Sequence, residues 1–229
     1  MKTIGLIGGM SWESTALYYR NINQEVARRQ GGLRSARLHL ISLDFEEIAQ
    51  LQRQADWPRM TAILQTEARQ LESSGAELVL ICTNTMHRIA DAVQTATRLP
   101  LLHIADVTAQ AIRAAGLQQV GLLGTRFTME QDFMRDRLAA SGVHCVVPDE
   151  AGRIEVHRVI FEELCRGVVL ESSRQNLIRL IEGLAGQGAQ GVILGCTELT
   201  MLLQPGDGGL PGFDTTALHA MAAVDFALS

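Results

Sequence analysis

Short apolar runs alternate along the chain with longer segments in which apolar residues recur every three or four positions. The short apolar runs are typical of strands buried on both faces. The longer segments are typical of amphipathic helices. The predicted strands are residues 3–8, 38–43, 77–82, 101–104, 119–123, 143–147 and 192–194. The predicted helices are residues 12–29, 57–74, 86–95, 107–115, 129–141, 155–167, 174–185 and 214–227, the last capped by Asp214, with 46–52 a short helix or loop and 203–212 a loop. Strands alternating with helices indicate an α/β fold with parallel sheets covered by helices.

This pattern occurs twice in the chain. Residues 75–80 match residues 188–193, and residues 5–8 match residues 121–124 at nearly the same separation. Matched units of this kind predict an internal duplication. We expect a first domain of residues 1–106 plus 207–229, with the last helix returning to the first sheet, and a second domain of residues 107–206.

Composition narrows the class of protein. The 229 residues carry a formal net charge of −5, which argues against a nucleic-acid partner. No apolar run approaches the roughly 18 residues of a membrane span, so we expect no membrane association. The amino-terminal residues pass directly into a strand without a signal peptide, and the four cysteines lack metal-site spacing. We therefore expect a cytoplasmic protein with free thiols.

Cys196 is the first candidate for chemistry. It follows the apolar run 192–194 and precedes Thr197-Glu198, a predicted helix amino terminus. Backbone amides and the helix dipole would lower the thiol pKa toward neutrality there. The alternative is a thiol that packs as a small hydrophobe. The other three cysteines, Cys82, Cys145 and Cys165, are interpreted as structural.

A second group of candidates follows the matching strand of the first half. Thr83-Asn84-Thr85 is either a helix cap or a cradle whose amides and hydroxyls hold a carboxylate. If the two halves face each other, Thr83 and Cys196 would lie on opposite walls of one cleft. His87 would either line this cleft or have a capping or core role.

Gly8-Gly9 opens the first turn but lacks the spacing of a nucleotide-binding loop. Its glycines are therefore interpreted as allowing backbone to approach a small ligand. The six histidines show no paired spacing, which argues against a metal site.

Four motifs in order resemble the cofactor-independent aspartate/glutamate racemases over nearly the full chain. They are Gly8-Gly9-Met10-Ser11-Trp12-Glu13-Ser14-Thr15, Cys82-Thr83-Asn84-Thr85-Met86-His87, Gly195-Cys196-Thr197-Glu198 and Phe213-Asp214-Thr215-Thr216. The resemblance implies two pseudo-symmetric three-layer domains, each with a mainly parallel sheet of about four strands, and an active site at the domain interface. It also implies a homodimer, no cofactor, and one cysteine from each domain flanking the substrate Cα.

The chain departs from that pattern at one of the two cysteines, where it has Thr83. Cys82 is adjacent, but strand alternation points its side chain the other way. The resemblance is closest to a subgroup with this Thr/Cys pair, which is associated with L-aspartate, L-glutamate and broader amino-acid racemisation. It implies that substrate contacts come from Met10, Gln52, Thr83, Asn84, Thr85 and Thr197. Arg166 is a candidate to hold a side-chain carboxylate.

The function expected from the sequence is therefore racemisation of aspartate or glutamate, with Cys196 on one face of Cα and Thr83 on the other. Two alternatives stay open. One is isomerisation or decarboxylation of a small diacid by a related enzyme. The other is a catalytically weak protein that binds amino acids.

Overall fold

The computed structural model describes residues 1–204 and 206–229, which form two compact units. Unit 1 is Met1–His103 with His219–Ser229, and unit 2 is Ile104–Leu218. The domain boundaries expected from the sequence, at 106/107 and 206/207, stay a prediction. No helix within the described ranges is both long enough and apolar enough to cross a membrane.

Strands and helices alternate along the chain, as the sequence predicts. The strands are β1 Ile4–Gly8, β2 Leu38–Ser42, β3 Leu78–Ile81, β4 Gln119–Gly124, β5 His144–Val146, β6 Val192–Gly195 and β7 Gly212–Asp214. The α-helices are α1 Trp12–Gln30, α2 Phe45–Arg53, α3 Trp57–Ser73, α4 Ala90–Gln94, α5 Ile104–Ala114, α6 Arg126–Glu130, α7 Asp132–Ala140, α8 Glu150–Arg158, α9 Glu171–Gly186 and α10 Thr215–Leu228. Shorter segments are the 3-10 helices Thr85–Ile89, Leu164–Arg166, Thr197–Met201 and Asp207–Gly209 and the π-helix Val159–Glu163.

Unit 1 is built on three parallel strands in the order β2-β1-β3. The fourth strand predicted at 101–104 is reduced to a single bridge between Leu101 and Val79. It stops there because the chain enters a helix at Ile104, three residues before the predicted helix start. The predicted helix at 86–95 is likewise divided into a 3-10 helix and α4.

Helices cover both faces of the unit 1 sheet, which gives three layers. Leu78 and Leu80 of β3 pack in one core cluster with Tyr18 of α1. Val79 and its β3 neighbour Ile81 pack in a second cluster on the other face, with α3. Because successive strand residues face opposite helical layers, both must be apolar, and the strand is a continuous apolar run.

Unit 2 repeats this order with one strand more, β5-β4-β6-β7, all parallel. The positions of β4, β5 and β6 correspond to those of β1, β2 and β3, which confirms the duplication as a repeat of topology. The hydrophobic pattern does not predict β7, because this strand has only three residues, one of them Gly212. This strand is specified by its pairing with β6, in which Phe213 lies beside Ile193. Asp214 then accepts the Thr216 amide at 2.9 Å, which confirms the predicted cap of α10.

Gly8, the last residue of β1, and Gly9 serve internal packing and not the approach of a ligand. Gly9 has a φ of +85°, and a Cβ there would lie 2.2 Å from the Leu43 carbonyl oxygen. A Cβ on Gly8 would lie 2.5 Å from Cγ2 of Thr15. The expectation that these glycines admit a ligand is therefore corrected: the backbone of Leu43 and the side chain of Thr15 occupy that space.

Substituting Gly9 with alanine is expected to lower the free energy of unfolding by about 3 kcal/mol or more. The strain of a positive φ and the clash with the Leu43 backbone both contribute to this loss. Gly75→Ala is the matched control, since Gly75 has a φ of +90° and no other atom within 4 Å of an added Cβ. That variant should lose only about 1–2 kcal/mol. Urea unfolding measures both values, and equal losses would exclude the clash with Leu43.

Candidate functional site

The candidate residues of unit 1 follow neighbouring parallel strands. Ile7 of β1 pairs with Ile81 of β3, so both strands end at the same edge of the sheet. Met10 comes two residues after β1, and Thr83 two residues after β3. The carboxyl edge of a parallel sheet is where open α/β folds bind ligands.

Thr83 and Cys82 have opposite environments although they are adjacent. Cys82 is fully buried in the same core cluster as Leu80, and burial raises the pKa of its thiol. Thr83 is only half-buried. The predicted alternation is confirmed for Cys82, whose thiol is a core group and not a reactive one.

The remaining candidates of unit 1 are mostly buried. Asn84 precedes the 3-10 helix Thr85–Ile89, but its side chain does not cap that helix. The interpretation of Asn84 as a helix cap is therefore wrong. Met10 is buried, and the half-buried Gln52 points its amide Nε2 at the Met86 sulfur, 3.5 Å away.

A cluster of histidines lies beneath this edge in unit 1. His219 is fully buried, with Nδ1 2.8 Å from the Tyr18 hydroxyl and Nε2 2.9 Å from the Leu102 carbonyl oxygen. The rings of His87 and His219 have centroids 5.4 Å apart, and those of His87 and His103 4.8 Å apart. His87 is therefore buried among these rings, in agreement with the core role.

His87 also supports the chain at Thr83. Its Nδ1 lies 2.8 Å from the Thr83 carbonyl oxygen, and a carbonyl only accepts, so Nδ1 carries the hydrogen. The imidazole thus positions the backbone that presents the Thr83 side chain.

Acid is expected to destabilise the protein through His219. Burial, and then the neighbouring His87, lower the pKa of His219 from 6.5 to about 3. Between these values the unfolded chain binds a proton that the folded chain refuses, so stability present above about pH 6.5 is lost as the pH falls toward 3. At about pH 4.5 the loss is about 2–3 kcal/mol.

Urea unfolding at about pH 7 and about pH 4.5 measures this loss. In His219→Gln the free energy of unfolding should depend less on pH, because the variant lacks the titrating ring near Tyr18. His144→Gln, at an exposed position, is the control and should keep the slope of the native protein. Equal slopes in all three proteins would refute this assignment to His219.

The candidate residues of unit 2 surround a buried carboxylate. Cys196 follows β6, and its Sγ donates to Oε2 of Glu198 over 2.9 Å. The hydroxyl of Thr197 donates to the same oxygen over 2.7 Å. Thr197 and Glu198 are both buried, whereas Cys196 is half-buried. The sequence placed these residues together, but it did not identify the carboxylate as the partner of the thiol.

The expectation of a lowered thiol pKa at Cys196 is wrong. Burial raises the pKa of Cys196 well above its usual range, and the charge and hydrogen bond of Glu198 raise it further. Thr197–Met201 is a 3-10 segment of five residues, so it supplies only a short dipole against these effects. The resting Cys196 is therefore a protonated thiol.

A second thiol lies at the same carboxylate. Cys165 belongs to the 3-10 helix Leu164–Arg166, and it lies close enough to Glu198 for that carboxylate to affect the pKa of its thiol. Its pKa is raised to about 12, first by desolvation of the sulfur, although the residue is exposed overall, and then by the charge of Glu198. The interpretation of Cys165 as merely structural is corrected. Arg166 next to it is exposed.

Within residues 1–204 and 206–229, no group of three or more His, Cys, Asp and Glu side chains is arranged to hold a metal ion. The contact between the Cys196 thiol and the Glu198 carboxylate allows a proton to pass between the two groups.

Comparisons with known proteins identify a family and a shared fold. The family model described as Asp/Glu/hydantoin racemase matches residues 7–223. A crystal structure of a candidate Asp/Glu racemase from Yersinia pestis is 52% identical, covers 100% of both chains and has a TM-score of 0.95. An aspartate racemase homologue from Pyrococcus horikoshii is 36% identical over 100% of both chains, with a TM-score of 0.88. The broad specificity amino-acid racemase RacX of Bacillus subtilis is 21% identical over 96% of both chains.

Proposed function

Because the chain belongs to the Asp/Glu/hydantoin racemase family, we propose that it racemises aspartate or glutamate, and other amino acids more slowly, without a cofactor. The observation that carries the proposal is the thiol of Cys196 at the end of β6, held on a buried carboxylate. A thiol in this position can both give and take a proton. Racemisation at Cα requires these two acts on opposite faces of one carbon.

In the proposed reaction Cys196 acts on one face of Cα and Thr83 on the other. An aliphatic hydroxyl ionises far above the thiol range, whose ordinary pKa is about 8.5, so Thr83 is much better suited to donating a proton than to taking one. Cys196 is then the base for one enantiomer, and Thr83 completes the inversion. A water molecule or a neighbouring group must reprotonate Thr83 after each turnover.

The substrate carboxylates need donors because the overall charge of the protein is negative. We propose that Asn84, Thr85 and Thr197 hold the α-carboxylate, with Met10 and Gln52 closing the site against water. Fixed donors at a site that excludes water stabilise the charge that develops as the α-proton leaves. Arg166, an exposed guanidinium, is our candidate for the side-chain carboxylate.

A homodimer is the proposed assembly. In unit 1, Trp12, Tyr19 and Leu40 are exposed large apolar residues that line one groove of about 730 Å³. Covering such side chains with a second copy would remove apolar surface from water. Sedimentation of the purified protein as a monomer would contradict this assembly.

Chiral chromatography after incubation with each L-amino acid tests the proposed function. We expect the opposite enantiomer to appear with aspartate and glutamate first. Substrate loss without the opposite enantiomer would favour decarboxylation or isomerisation of a small diacid. Binding without any turnover would favour an amino-acid-binding protein, and either result would overturn the racemase.

A further inference from the structure

The backbone on both sides of Thr83 is held by side chains from two different segments. The hydroxyl of Ser14, in the first turn of α1, donates to the Cys82 carbonyl oxygen over 3.0 Å. The Nδ1–H of His87, in the 3-10 helix Thr85–Ile89, donates to the Thr83 carbonyl oxygen over 2.8 Å. Ser14 and His87 therefore hold two consecutive carbonyl groups, one before and one after the Cα of Thr83.

These two hydrogen bonds determine the direction of the Thr83 side chain. The Thr83 amide also donates, to the Ile81 carbonyl oxygen over 2.9 Å, so the peptide group before Thr83 is held at both its N–H and its C=O. Peptide groups are planar, and the two that meet at one Cα fix its φ and ψ. The direction of the Cα–Cβ bond, which carries the hydroxyl, follows from them.

Both donors are buried and packed in place. Ser14 is 3% exposed and His87 is 2% exposed. The His87 ring makes edge contacts with the rings of His103 and His219, and Nδ1 of His219 lies 2.8 Å from the Tyr18 hydroxyl. Hydrogen bonds in such surroundings are stronger than in water, because bulk solvent does not compete for the acceptor.

We propose that Ser14 and His87 are positioning residues that act through Thr83: they set the direction from which its hydroxyl delivers a proton to Cα. This inference rests on the proposed function. A misplacement of about 1 Å costs a reaction about 100-fold in rate, so the backbone that carries the hydroxyl must be held firmly. The competing explanation is that the two side chains only satisfy buried carbonyl groups, as folding requires.

The ratio of inversion to Cα exchange separates these two roles. In the proposed reaction Cys196 alone exchanges the Cα hydrogen of one enantiomer with solvent, whereas inversion also requires Thr83. A smaller fraction of folded protein lowers both rates by the same factor, so their ratio in D₂O describes only the active molecules. A positioning role predicts a lower ratio in variants that lack a donor, and a purely structural role predicts no change.

Ser14→Ala and His87→Leu each remove one donor, and each is expected to lower the ratio of inversion to exchange about tenfold. Ser73→Ala is the matched control. Ser73 also donates its hydroxyl to a backbone carbonyl, that of Arg69, over 2.9 Å, but it does so at an exposed position of α3. Its variant should keep the native ratio. A native ratio in Ser14→Ala or in His87→Leu would overturn the proposal for that residue.

His87→Asn tests the Nδ1 hydrogen bond itself. The amide nitrogen of asparagine is attached to Cγ, as Nδ1 is in the imidazole, so this variant keeps a donor in nearly the same place. We expect it to recover most of the native ratio. An equally low ratio in His87→Asn and His87→Leu would show that the hydrogen bond is not the cause, and the proposal for His87 would fail.

Milder variants replace any of these that gives no soluble protein. Ser14→Cys offers a thiol, which is a weaker donor than a hydroxyl, and His87→Gln moves the amide nitrogen toward the place of Nε2. The ratio of inversion to exchange should then fall about threefold, and an unchanged ratio would again overturn the proposal.

NMR order parameters of backbone amides test the same arrangement without turnover. The amides of Thr83 and Asn84 are expected near about 0.85 in the native protein and near about 0.6 in the variants that lack a donor. Native values in those variants would overturn the proposal. If the native protein neither exchanges nor inverts any amino acid, the proposed function fails on its own, and the order parameters still show whether Ser14 and His87 hold the backbone at Thr83.

Discussion

Cys196→Ser is expected to reduce racemisation by about 10³-fold or more in both directions. The substitution keeps the size and the hydrogen-bonding character of the side chain. It replaces a thiol by a hydroxyl, which is a far weaker acid, so the base on that face of the substrate is lost. Chiral chromatography of time courses from the L and the D substrate measures the effect.

Cys145→Ser is the matched control for this variant. Cys145 is a half-buried thiol of the same unit, within β5, and burial raises its pKa to about 12. It takes no part in the proposed reaction, so its variant should keep the activity of the native protein. Full activity in Cys196→Ser would refute the role of this thiol, and equal losses in both variants would point to a loss of structure.

Thr83→Cys is expected to raise racemisation, by about tenfold or more, because a thiol replaces a hydroxyl as the second acid–base group. The gain should be the same from L and from D substrate. Enantiomers have equal free energies in water, so their kcat/KM values must be equal, whatever pair of residues acts. Initial rates at low substrate concentration from both sides measure this gain, and an activity at or below that of the native protein would contradict the assignment of Thr83.

Thr83→Val supplies the complementary test, since it removes the hydroxyl and keeps the branched shape. Inversion should stop, because nothing delivers a proton to the second face. Cys196 should still exchange the Cα hydrogen of one enantiomer with solvent. The NMR signal of Cα–H in D₂O reports this exchange without inversion, and continued inversion in this variant would exclude Thr83 as the second group.

Sequence periodicity was sufficient to predict the central strands and the positions where they end. The period of two in β3 separated Cys82, a core thiol, from Thr83, and the apolar run before Cys196 located β6. The repeated strand order of the two units also followed from the matched segments. These features can be predicted locally, because a strand that is buried on both faces is a continuous apolar run in the sequence.

Features that depend on contacts between distant segments could not be predicted in this way. The three residues of β7 are a strand because they pair with β6. The protonation of Cys196 depends on its burial and on the position of Glu198. Cys165 approaches the same carboxylate from a segment some thirty residues earlier in the chain. A helix amino terminus predicts a lowered thiol pKa, but burial of the sulfur, and then the charge of Glu198, raise the pKa of Cys196 instead. Neither the spacing nor the types of the residues indicated the raised pKa of Cys196.

In the proposed reaction Cys196 and Thr83 act on opposite faces of the same carbon. The thiol exchanges protons readily and the hydroxyl slowly. Incubating the native protein with L-aspartate and, separately, with D-aspartate in D₂O tests it, with Cα–H followed by NMR and inversion by chiral chromatography. One enantiomer is expected to exchange its Cα hydrogen faster than it inverts. Equal rates of exchange and inversion from both enantiomers would contradict it.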